Sequence, residues 1–62
     1  MWIKTVGGYL LNTDKLIFIQ YDSDTGYTYG YDGEVQHIIA DGDYTDIIFT
    51  AALRAAHVLE VK

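Results

Sequence analysis

The stretch YDSDTGYTYGYDG, residues 21–33, holds four tyrosines, three aspartates and three glycines in thirteen positions. Three readings compete for it: a calcium loop, a surface that stacks a flat ligand, and a plain β-hairpin. The calcium reading fails on spacing. An EF-hand loop wants oxygen ligands at positions 1, 3 and 5, glycine at 6 and glutamate at 12. Counted from Asp22, Asp24 stands at 3, but Gly26 stands at 5, Tyr27 at 6 and Gly33 at 12. Aspartate and glycine form turns without any ligand, because one hydrogen-bonds its own backbone and the other accepts positive φ. The segment DSDTG and the pair Asp32-Gly33 therefore read as loops flanking a strand at 27–31. The tyrosines need a separate account.

The same punctuation recurs on both sides. Gly7-Gly8 and Asp41-Gly42 are further turn dipeptides. Between the turns lie strand-like segments at 2–6, 9–11, 16–21 and 34–40, rich in β-branched and aromatic residues. After Gly42 the pattern changes. Asp43 or Thr45 can cap a helix, Asp46 suits its first turn, and Ala51, Ala52, Ala55 and Ala56 are strong helix formers. The spacing predicts a helix over 44–59. The expected fold is α+β: one domain over 1–62, a small antiparallel β-meander of four to five strands with one C-terminal α-helix on one face.

A two-residue turn at Asp32-Gly33 would set Tyr31 opposite Glu34, Tyr29 opposite Gln36 and Tyr27 opposite Ile38. Ile17, Ile19 and Tyr21 would share that side. Leu16, Phe18, Thr28, Gly30, Val35, His37 and Ile39 would take the other, where Thr28 and Gly30 leave room for the helix. One helix covers one side, so the tyrosine side stays open. The helix is itself apolar around most of its circumference, which implies burial on more than one side. These two features predict a homo-oligomer, with Ile48, Ala52, Ala55 and Leu59 at its interface. Small size points the same way, since a chain of 62 residues without cysteine has few other means to stabilise its core.

Composition narrows the function. Nine acidic residues face four basic ones, for a net charge of −5. Counterion release from nucleic acid needs clustered cations, so direct DNA or RNA binding is disfavoured. No apolar run approaches the roughly 20 residues of a membrane span, and no signal peptide is legible, which predicts a cytoplasmic protein without a membrane partner. The chain has no cysteine nucleophile, no glycine-rich phosphate loop, no Ser-His-Asp set and no zinc-type cluster. No enzyme, metal site or cofactor is expected.

Two groups remain for binding. Tyr27, Tyr29 and Tyr31 form a row that serves either cross-strand packing and a subunit interface or stacking against a base or another flat ligand. Asp46, Thr50, Arg54 and His57, spaced four, four and three apart, share the polar stripe of the expected helix. That stripe is either merely solvated or, where subunits converge, an anion pocket. Arg54, the one arginine, has the fork that suits phosphate or carboxylate. The candidate ligand-binding residues are therefore Arg54, His57, Thr50, Tyr27, Tyr29 and Tyr31. His37 is expected on the helix side, buried and hydrogen-bonded.

The opening MWIKTVGGYLLNTDKLIFIQY, about a third of the chain, resembles the start of very short proteins of Gram-positive bacteria and their phages. The matching residues are Trp2, Ile3, Lys4, Asn12, Asp14, Ile17 and Ile19. It has a fainter likeness to the FlbD/SwrD motility proteins, with their hairpin, sheet and terminal helix. The phage resemblance implies an anti-defence role. The leading form is a homo-oligomer that sequesters a nucleotide-derived immune signal. The alternative is an acidic inhibitor or nucleic-acid mimic that occludes a host defence protein, followed by a structural or assembly factor of the motility type.

Overall fold

The computed structural model describes all 62 residues and has the α+β composition expected. The strands are β1 (Trp2–Lys4), β2 (Leu10–Asn12), β3 (Phe18–Asp22), β4 (Tyr27–Tyr31), β5 (Gln36–Asp41) and β6 (Val58–Glu60), with one helix, α1 (Thr45–Leu53), before β6. A single 3₁₀ turn, Thr13–Lys15, follows β2 and is capped by Asn12, whose side chain accepts the Asp14 amide at 3.0 Å. The strands form two three-stranded sheets, ordered β2-β1-β6 and β3-β4-β5, rather than one meander.

In the first sheet β1 lies between β2, antiparallel, and β6, parallel. The row Leu11–Ile3–Leu59 faces inward, and Ile3 is fully buried. Side chains alternate along a strand, so the neighbouring rows face outward. Trp2 and Val58 lie exposed in one, and Lys4 reaches Glu60 at 3.6 Å in the other. The helix ends at Leu53, six residues before the expected boundary. Ala55 takes the left-handed conformation at φ 54°, while the Ala56 amide donates to the Ala51 carbonyl at 3.1 Å and the Ala55 amide to the Ala52 carbonyl at 3.0 Å. That pair of bonds is the Schellman termination normally built on glycine. The turn redirects residues 56–57 so that Val58–Glu60 pairs with β1 instead of extending the helix.

The second sheet is the tyrosine hairpin. Asp22 pairs with Tyr27 across a four-residue loop, and its carboxylate accepts the Asp24 amide at 2.9 Å. A loop of even length reverses the expected parity of β3, since a slip of one residue exchanges the faces of a strand. Ile19 therefore lies inward beside Gly30, and Phe18 lies outward against Tyr31, with ring centroids 5.3 Å apart. The turn after β4 also has four residues. Asp32 Oδ1 accepts the Glu34 and Val35 amides at 2.8 and 2.7 Å, which brings Tyr31 opposite Gln36 and Tyr29 opposite Ile38. A β-bulge then adds Ile39, so that Ile39 and Ala40 are both buried.

The core gathers Ile3, Leu11, Ile39, Ala40, Ile48 and Val61, with Met1, Leu16, Ile19, Tyr44 and Leu59 packed against it. Gly30 admits this closeness: a Cβ there would stand 2.8 Å from a Leu16 methyl and 3.0 Å from an Ile39 methyl. Thr28, fully buried on the same strand, fixes the approach to the helix. Its hydroxyl donates to the Gly42 carbonyl at 2.6 Å. No helix is long and apolar enough to cross a membrane.

Candidate functional site

The expected binding residues fall into separate places. Thr50 and Arg54 line an open groove of about 420 Å³ beside α1, together with Asp46, Ile47, Ala51, Ala56 and Leu59. Residues four apart on a helix share a face, which explains why Asp46, Thr50 and Arg54 meet here. Ala56 and Leu59 close the other wall because the chain turns back after Ala55. Arg54 forms no ion pair within 4.0 Å, so its fork is free. Asp46 is eight residues away, about 12 Å along the axis. The groove is thus cationic at the Arg54 end and anionic at the other, with an apolar floor.

His57 does not join them. It lies beyond the helix end, exposed, and its carbonyl accepts the Trp2 amide at 2.8 Å as part of the approach to β6. The tyrosine row also lies apart from Arg54, on the outer face of the second sheet. Tyr31 donates its hydroxyl to the Gly33 carbonyl at 2.9 Å, and Tyr29 to Thr25 Oγ1 at 3.2 Å. Tyr27 meets Tyr29 edge-on at 6.2 Å. Tyr29 and Tyr31 are engaged in the hairpin, whereas Tyr27 lines a second groove along β5. Within one chain, no groove contains both Arg54 and a tyrosine of the row.

The residues expected at an interface divide in the same way. Ile48 is only 5% exposed and belongs to the core, in one cluster with Ile3, Leu11, Ile39, Ala40 and Val61. Leu59 is half-buried in β6 and packs on that core. Ala52 is exposed, and Ala55 sits in the terminating turn. The large apolar side chains left open on the helix are Ile47, Phe49 and Leu53, the last two 64% and 72% exposed. Ile17, Phe18 and Ile38 are open near the tyrosine row.

His37 is half-buried, with Nε2 2.9 Å from Asp32 Oδ2. The Val35 amide, this imidazole and the Glu34 amide together hold the Asp32 carboxyl down at about 2. Hydrogen bonds from the Thr45 hydroxyl and amide lower Asp43 in the same direction at the start of α1. Both carboxylates serve turns, and no group of three or more metal-ligating side chains assembles anywhere in the fold. The β5 groove is hard to read from sequence because Tyr9, Tyr27 and the pair His37 and Asp41 come from three separate segments. The comparisons add no relative: no family model, no curated protein and no solved structure matches the chain.

Proposed function

We propose that the chain is a non-enzymatic, cytoplasmic, homo-oligomeric binding protein that captures a small anionic ligand of nucleotide type between neighbouring copies. In this reading its setting is phage anti-defence, and its effect is sequestration of a nucleotide-derived immune signal. The observation that carries it is the unpaired Arg54 in a groove that the exposed Ile47 also lines, on a helix whose Phe49 and Leu53 are exposed as well. A lone exposed guanidinium binds phosphate weakly in water. A second copy seated on Ile47, Phe49 and Leu53 would exclude solvent there and bring a further cation, and such sites repeat by symmetry.

Native mass spectrometry of protein purified from cells tests both parts, since it reports stoichiometry and any retained small molecule. Calorimetry with a cyclic dinucleotide and with ADP-ribose then tests the site. Binding should be lost in Arg54→Ala while the oligomer persists. Equal affinity in that variant would move the pocket elsewhere. The acidic charge of −5 favours a second reading, occlusion of a basic surface on a host defence protein. That reading requires the exposed aspartates and not Arg54.

A further inference from the structure

The second groove, about 590 Å³, runs along β5 and is walled by the turn between β1 and β2. That turn is fixed at both ends. The Thr5 amide donates to the Tyr9 carbonyl at 2.9 Å, and the Val6 amide donates to the Ile39 carbonyl of β5 at 2.8 Å. Tyr9 is thereby held near His37, with ring centroids 6.3 Å apart. Tyr27 supplies another ring, and Val6 and Ile38 add apolar surface. Asp41 is exposed in the same lining and has no ion pair, and no lysine or arginine contributes.

Aromatic faces carry negative quadrupole potential, and an unpaired carboxylate adds to it. An anion is repelled here, and a purely apolar group would leave Asp41 to be desolvated without a partner. A guanidinium satisfies each element, since it stacks flat on a tyrosine and pairs with a carboxylate, while its aliphatic stem covers the valine and isoleucine. We propose that this groove docks an arginine side chain presented by a partner protein, with Asp41 taking the charge and Tyr9 and Tyr27 the stacking faces. The site is independent of the Arg54 groove and stands whether or not that groove binds an anion.

The test is a titration of the full chain, followed by amide NMR and calorimetry, with a blocked peptide carrying one arginine between valines. The arginine peptide should bind and shift the amides of Tyr9, Tyr27 and Asp41. Replacing its arginine with citrulline, which keeps shape but not charge, should weaken binding about tenfold or more, as should Asp41→Asn. Asp24→Asn removes the same charge from a loop outside the groove and should leave affinity unchanged, as should Arg54→Ala. Equal binding of the citrulline peptide, equal loss from Asp24→Asn, or shifts confined to other residues would overturn the proposal. Spermidine binding the same amides as tightly as the peptide would also overturn it, by showing a site for free amines.

Discussion

Thr28 accepts the amide of Tyr44 at 2.9 Å, across sixteen positions of chain, while donating to the Gly42 carbonyl. One hydroxyl thus joins the central strand of the hairpin sheet to the start of the helix. Thr28→Val keeps the volume and leaves both backbone groups without their partner. It should cost about 1–3 kcal/mol by urea denaturation, with Thr28→Ser losing less. A neutral Thr28→Val would mean that water replaces the hydroxyl without penalty.

Ala55 occupies a conformation that costs an L-residue roughly 1–2 kcal/mol. Ala55→Gly should therefore stabilise the protein, by about 1 kcal/mol at most after the entropy of the unfolded glycine is counted. A higher urea midpoint with unchanged slope is the expected result. A lower midpoint would contradict the Schellman geometry.

Phe49 and Leu53 lie on the open side of the helix and contribute little to the monomer's core. The double variant Phe49→Lys, Leu53→Lys should retain native circular dichroism yet scatter light as a 7.0 kDa species. The unsubstituted chain should form a larger one at micromolar concentration. Finding both chains monomeric would remove the basis for an oligomeric binding protein.

Asp32 is held at about 2 in the folded chain, against an ordinary value of 3.8. Its contribution to stability is full above the ordinary value and is lost as pH falls from there towards about 2. Asp43, lowered by Thr45, acts in the same direction. Asp32→Asn should flatten, without abolishing, the decline in urea midpoint across this acidic window. An unchanged pH profile would show that the turn holds its shape without the carboxylate.

Local chemistry made much of the fold legible. Turn dipeptides at Gly7-Gly8 and Asp41-Gly42, the outward row of tyrosines and the inward Thr28 and Gly30 all follow from residue type and period. What escaped depends on counting or on distance. Whether the loop after Asp22 holds four or five residues decides whether Phe18 or Ile19 faces the core, and composition does not settle that count. The helix end was hidden because alanine does glycine's work at position 55, so β6 looked like more helix. The site divided along the same line. Thr50 and Arg54 remain together because both precede that turn, and His57 is lost because it follows it.

Trp2 pairs with Val58, fifty-six positions along the chain. Translation runs at about 5–20 residues per second, so β1 waits roughly 3–11 s for its neighbour to exist. Until then one edge of the first sheet is bare, and Ile3 lacks the cover that Leu59 provides. An open strand edge is a template for pairing with another chain, and β6 removes it only when Val58–Glu60 has been made. A ribosome stalled before Val58 should display residues 2–12 in a protease-sensitive state, and protection there would mean that β1 and β2 order without β6.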